Sequence, residues 1–374
     1  MLLINAQVYD KNFELQDWDL RILDGKISEI AERGQLDADV DEDIVNLAGK
    51  RLAPGMIDIH THGALGRDTM DGDAESIEII SRHLASNGVT SFLPTTMTMG
   101  EEHITKTFTN VPETTSGANI LGFHMEGPFI NVEKKGAQNA EYIRFATVEE
   151  VEKYQDLVDV KIIDIAPEFS ENLEFIKAKS SEINIQVGHC MATYEDTVNA
   201  MDAGATGLCH GFNAMPSVHH RKPGPIIGSL IKGQYTEIIA DGLHLHPAIV
   251  VAAYNMFGPE RMIIISDAIK TTGLEDGEYI FGGQAVVMKE GVTRMKDSGA
   301  IAGGTSNVWE EVKNCITWGI PEADAFRMGS LTAAEYINVA DSKGSIEVGK
   351  DADLVVSNSD YDVLDVYIAG VKFA

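Results

Sequence analysis

Cysteine is nearly absent from this chain. Its 374 residues include three, Cys190, Cys209 and Cys315. A number so small and odd argues against a disulfide framework. Cys190 and Cys209 each adjoin a histidine, which could make them ligands, but they read as small core-facing residues at strand ends. Positive charge is also scarce. The 29 Lys and Arg face 58 Asp and Glu, a formal net charge of −29, with a pI near 4.6. That balance argues against nucleic acid or an anionic membrane surface as partner. It also repels anionic small molecules at long range, so any phosphate would need a locally cationic site. No apolar run approaches the ~20 residues that a membrane helix requires. The N-terminal stretch MLLINAQVYD lacks a basic segment and a long apolar core, and does not read as a signal peptide. A cytoplasmic enzyme is the expectation.

What the chain does have is concentrated in Pro54-Gly-Met-Ile-Asp-Ile-His-Thr-His-Gly63. Met56, Ile57 and Ile59 make the short apolar run of a buried parallel strand. Residues two apart on a strand share a side. His60 and His62 can therefore aim two imidazoles at one divalent cation. Gly63 then lets the chain turn away.

Around this stretch the pattern alternates. Residues 1–50 are β in texture, with a hairpin signal at Asp24-Gly25-Lys26. From residue 51, short apolar runs alternate with helical patterns, as in βαβ units. Strands are expected at 89–95, 120–126, 161–166, 184–189, 206–210, 236–241 and 261–267. Helices are expected at 73–87, 194–203, 247–256, 306–318 and 321–337. With the opening strand this makes eight parallel strands, which predicts a (β/α)8 TIM-type barrel over 51–343. The alternative is a doubly wound open sheet, but the first turn carries His-x-His where that fold has a Gly-rich phosphate turn. Runs at 279–283, 285–288 and 292–295 suggest hairpins over the barrel mouth. Residues 344–374 return to β patterning. They are expected to join 1–50 in a small β-sandwich domain built from both chain ends.

The chemistry falls where the expected strands end. His60 and His62 finish the first, Glu126 the third, His189 the fifth, His210 the sixth and Asp267 the eighth. In a barrel these ends converge on one mouth. Only 11 histidines exist, and several occupy this one slot. The ligand set is His60, His62, Glu126, His189 and His210. Imidazole and carboxylate without thiolate suit Zn2+, Fe2+, Mn2+ or Co2+, with one or two ions per subunit. A bound ion would lower the pKa of its water. Asp267 is placed to act as general base and then as acid toward a leaving amine. The fourth strand ends without a lysine, so Glu126 must supply the carboxylate.

These motifs, together with His124-Met-Glu-Gly-Pro-Phe-Ile-Asn131, Lys134-Lys-Gly-Ala137, Gly188-His189, Ala192-Thr-Tyr-Glu195, His210-Gly-Phe-Asn-Ala-Met-Pro216, His219-His-Arg-Lys-Pro-Gly224, Asp241-Gly-Leu-His244, Ser266-Asp-Ala268 and Gly349-Lys-Asp-Ala-Asp-Leu-Val355, resemble the N-acetylglucosamine-6-phosphate deacetylases of the amidohydrolase superfamily. The resemblance spans nearly the whole chain. It implies hydrolysis of a sugar-phosphate acetamide to amine and acetate, in amino-sugar catabolism. By motif, Glu126, His189 and His210 match the principal metal ligands, His60 and His62 the pair present where a second ion binds, and Asp267 the acid/base. Asn213, Ala214, Arg221 and His244 match substrate-binding positions near the phosphate. The arginine reaches in from a neighbouring subunit, which implies a homodimer. Gln138 stands where many relatives have a histidine that orients the substrate amide. Met191 and Gly304 also depart from the usual pattern. The residues agree independently on a cationic site. His219, His220, Arg221 and Lys222 are the densest basic cluster in an acidic chain, and a guanidinium suits a phosphate.

Two other readings stay open. One is the same chemistry on N-acetylgalactosamine 6-phosphate or another N-acyl substrate. The other is a catalytically silent scaffold, which would be expected to have lost ligands that this chain retains.

Overall fold

The computed structural model describes residues 1–374. All eight expected parallel strands form. They are Met56–Thr61, Val89–Thr96, Phe123–Met125, Val160–Ile165, Asn184–Val187, Gly207–Leu208, Thr236–Ile239 and Met262–Ile265. Most are short runs of β-branched and aliphatic residues buried on both faces, as parallel strands under helices must be. The eighth, Met-Ile-Ile-Ile, feeds two clusters. Met262 and Ile264 join the 62-residue main core. Ile263 and Ile265 join an 11-residue cluster with Ile57, Ile59 and Leu93. That is the two-residue period of a strand covered on both sides.

The regular ladder does not close into the expected barrel. The first six strands, with Asn119–Ile120, form one seven-stranded parallel sheet, and Thr236–Ile239 and Met262–Ile265 pair separately. The breaks have a local cause. The sixth strand was expected to run to His210, but His210, Phe212 and Ala214 take φ of 23°, 76° and 50°. Left-handed backbone cannot continue a ladder. At the other break Asp267 has φ 46°. Backbone hydrogen bonds still cross both gaps. The Gly211 N–H donates to Glu237 O at 2.8 Å, and the Asp267 N–H donates to His60 O at 2.9 Å. The third strand is also shorter than expected. Gly122 interrupts it at φ 132°, where a Cβ would come within 2.6 Å of Lys161.

Helices follow their signals. Ala74–Ser86 is capped by Asp73, which accepts the Ser76 N–H, and buries Ile77, Ile80 and Leu84. Val308–Thr317 is capped by Asn307. The expected helix at 321–337 is two, Glu322–Gly329 and Leu331–Tyr336, broken at Ser330 with ψ −79°. The expected hairpins form a three-stranded antiparallel sheet of Gly277–Phe281, Gln284–Lys289 and Val292–Met295.

The two chain ends meet as expected. Leu354–Ser357 pairs antiparallel with Arg51–Pro54, which lies parallel to Leu2–Tyr9. The pairing delineates one eight-stranded sheet rather than the two stacked sheets of a sandwich. Its faces divide by alternation. Leu52, Leu354 and Val356 enter a separate 13-residue cluster. Ala53 and Val355 face the main core. No helix is long and apolar enough to cross a membrane.

Candidate active site and metal centre

The carboxyl ends of the first, third, fifth, sixth and eighth strands meet at one cavity of about 400 Å³. His62, Glu126, His189, His210 and Asp267 line it, with Gln138, Asn213, Ala214 and His244. The sheet must therefore curl. His60 lies just beneath, fully buried. Of the expected site residues only Arg221 is elsewhere. It is exposed on the basic loop, with its guanidinium 2.5 Å from His220 Nε2.

Hydrogen bonds fix the tautomers of three imidazoles. His189 Nδ1 lies 2.8 Å from Lys134 O, His62 Nδ1 lies 3.2 Å from Thr95 O, and His60 Nδ1 lies 3.1 Å from Glu237 Oε2. Each acceptor requires a proton on Nδ1, which leaves Nε2 a bare lone pair in the neutral ring. Those lone pairs converge. His189 Nε2 is 2.9 Å from His210 Nε2, and the two lie 2.8 and 3.2 Å from Glu126 Oε1. His62 Nε2 is 3.2 Å from Glu126 Oε2 and 3.4 Å from Asp267 Oδ1. His60 Nε2 is buried with no hydrogen-bond partner. Lone pairs aimed at one another and at carboxylates are stable only around positive charge. The donor set fits a divalent cation, and Glu126 with His189 and His210, and His60 with His62 and Asp267, form two such groups.

The electrostatics agree. Burial opposes charge on His210, but its hydrogen bond to Glu126 and the charges of Glu126 and Asp267 push its pKa up to about 9. Burial likewise works against Asp267. The hydrogen bond with His62 and the charge on His60 win, and hold its carboxyl below the usual range. Cys209 also adjoins Glu126, His189 and His210, but burial pushes its thiol well up, so it is a neutral packing group. All three cysteines are free and buried, with Cys190 and Cys209 facing inward as expected.

Sequence reading missed the layer behind the ligands. Glu237 accepts from His60, from the His210 N–H at 3.1 Å and from Gln186 Nε2 at 3.0 Å. His124 bridges Ile59 O and Asp164. Glu133 and Lys134 also line the cavity. The signal for the buried acids was available, since Glu237 and Asp164 each stand next to isoleucine in short strands. Phe281 from the three-stranded sheet closes one side of the cavity.

The amidohydrolase family pattern matches residues 51–372. The chain belongs to the amidohydrolase family. It is 36% identical to the N-acetylglucosamine-6-phosphate deacetylase of Bacillus subtilis (strain 168), over 97% of this chain and 94% of that protein. It is 33% identical to the N-acetylgalactosamine-6-phosphate deacetylase of Escherichia coli O157:H7, over 95% and 94%. Its fold is similar to the crystal structure of N-acetylglucosamine-6-phosphate deacetylase from Pasteurella multocida, with TM-score 0.90 and 29% identity, covering 100% of this chain and 99% of that one. This amidohydrolase thus has the mixed α/β fold of its family, with a site suited to a divalent metal.

Proposed function

We propose that this amidohydrolase removes the acetyl group of N-acetyl-D-glucosamine 6-phosphate, giving D-glucosamine 6-phosphate and acetate. The observation that carries the reading is Asp267 standing 3.4 Å from His62 Nε2 and 3.7 Å from His60 Nε2, at the wall of the cavity that Glu126, His189 and His210 also line. Glu126, His189 and His210 would hold the principal ion, and His60 and His62 would offer a second position. Zn2+ or Fe2+ suits these nitrogen and oxygen donors best, with Mn2+ or Co2+ as substitutes. A divalent cation there supplies Lewis acidity toward the amide carbonyl and makes water more acidic.

The chain's own residues move the proton and hold the substrate. Asp267 takes a proton from water as the water oxygen bonds to the carbonyl carbon. It returns that proton to nitrogen as the C–N bond breaks, and acetate and the amine leave. His244 is held by Asp241, whose Oδ2 is 2.7 Å from His244 Nδ1. With Asn213 and Ala214 it receives the phosphate end. Arg221 completes that end from the second copy of a homodimer, in keeping with its place outside its own cavity. A charged sugar phosphate does not cross hydrocarbon unaided, so the enzyme works in the cytoplasm. Residues 51–343 are the catalytic unit, a curled parallel sheet under helices with backbone hydrogen bonds across its two ladder breaks. Residues 1–50 and 344–374 form the smaller one.

The test is acetate release by metal-stripped protein reloaded with each ion. N-acetylglucosamine 6-phosphate is compared with its unphosphorylated form and with N-acetylgalactosamine 6-phosphate. Metal-dependent turnover of the first substrate is expected. Preference for the galactosamine epimer supports the second reading, which the E. coli relative favours. No turnover with any ion overturns both.

A further inference from the structure

Gln138 lines the cavity and is 3% exposed. Its amide is already committed. Oε1 accepts the Thr98 N–H at 2.6 Å. Only the oxygen end can accept, so this bond fixes the amide's orientation. Nε2 then faces Glu126 and donates to its Oε2. The other carboxylate oxygen, Oε1, faces His189 at 2.8 Å and His210 at 3.2 Å. One carboxylate is thus divided between two ends of the site. The loop is pinned from two sides. The Gln138 N–H donates to Lys135 O at 2.9 Å. Gln284 Nε2, from the three-stranded sheet, donates to Ala137 O at 2.5 Å.

We infer that Gln138 is a positioning residue that holds Glu126 so that one ion binds tightly at the Glu126–His189–His210 end, while a second binds only weakly beside His60, His62 and Asp267. The inference rests on the metal-dependent reading of the site and not on the identity of the sugar. A tightly held second cation would need Glu126 Oε2 as a shared ligand. That oxygen already accepts the Gln138 N–H, which competes for its electron density and makes it a weaker ligand for a second cation. A glutamine here acts on the ligand, where the family resemblance pointed to contact with the substrate amide.

The experiment titrates metal-free, full-length protein with ZnCl2 by calorimetry and counts ions per chain after dialysis. Wild-type protein is expected to retain one ion, with the second site weaker by about a hundredfold. Gln138→Ala and Gln138→Met are expected to narrow the ratio of the two dissociation constants by at least about tenfold, the scale on which groups behind metal ligands act. Methionine keeps the side-chain volume and serves if the alanine variant does not fold. Two equally tight ions in the wild type, or an unchanged ratio in a folded variant, overturn the inference. No sugar phosphate enters the titration, so this result stands or falls separately from the substrate assignment.

Discussion

Glu237 and His60 form a buried pair, with Oε2 of the glutamate 3.1 Å from Nδ1 of the imidazole. The same oxygen accepts the His210 backbone N–H at 3.1 Å. One carboxylate therefore orients two histidines of the candidate metal site, from the carboxyl ends of the first and sixth strands. Glu237→Gln keeps the volume but replaces two acceptor oxygens with one. Its affinity for Zn2+ should fall by about 10–100-fold, measured by competition with a chelator. Unchanged affinity would remove Glu237 from the site's supporting layer.

Asp267 is buried and ionised beside two imidazoles. Asp267→Asn removes the proton carrier while leaving the Glu126, His189 and His210 donors in place. Metal content should stay near that of the wild type, while kcat falls by about a thousandfold or more, as loss of a general acid/base does. Near-normal turnover would sink the assigned role.

Arg221 lies outside its own cavity. Arg221→Ala should raise KM for the phosphorylated sugar with little change in kcat. If the guanidinium serves the neighbouring site, mixing this variant with Asp267→Asn creates hybrid dimers with one complete site. Assayed well below the raised KM, where Arg221→Ala homodimers contribute little, subunits re-associated at equal ratio should show roughly a quarter of wild-type activity. No recovery would refute the shared site.

His124 is fully buried between Ile59 O and Asp164. Burial opposes its charge, yet Asp164 pushes its pKa up to about 9. The unfolded value is about 6.5. The native state therefore binds more protons than the unfolded state between these values. Stability is full below the unfolded pKa and is lost as pH rises toward 9. In metal-stripped protein, denaturant titrations from pH 6.5 to 9 should show a decline to which His124 contributes on the order of 3 kcal/mol, beside the share of His210. The slope should flatten in Asp164→Asn.

Gly304 packs against the strand that carries Asp267. Its N–H donates to Asp267 O at 2.7 Å. A Cβ there would lie 2.1 Å from Ser266 O. Backbone cannot yield as a flexible side chain does. Gly304→Ala should cost about 1–3 kcal/mol by overpacking and lower kcat by displacing Asp267. Wild-type melting and turnover together would show that the loop has slack.

Much of this was legible in the sequence because the chemistry sits at strand ends. His60 and His62 were readable from a two-residue period, and Glu126, His189, His210 and Asp267 from their common position in successive βα units. Glu237 was not. It is the second residue of a four-residue strand, and its role exists only because His60, 177 positions earlier, lies opposite. The unclosed ladder was equally hidden. His210 and Asp267 look like ordinary strand residues, but both take positive φ. Such backbone in non-glycine residues costs about 1–3 kcal/mol each and is held by its surroundings. The Gln138 amide likewise looked like a weaker histidine until Thr98 fixed its orientation.

The sheet that joins the chain ends sets a schedule for synthesis. Arg51–Pro54 emerges from the ribosome early, but its antiparallel partner Leu354–Ser357 is made roughly 300 residues later. At about 5–20 residues per second, that edge waits about 15–60 s for its neighbour. Until then its N–H and C=O groups offer a template to any passing strand. Nascent chains released before residue 354 should therefore be the ones that chaperones hold.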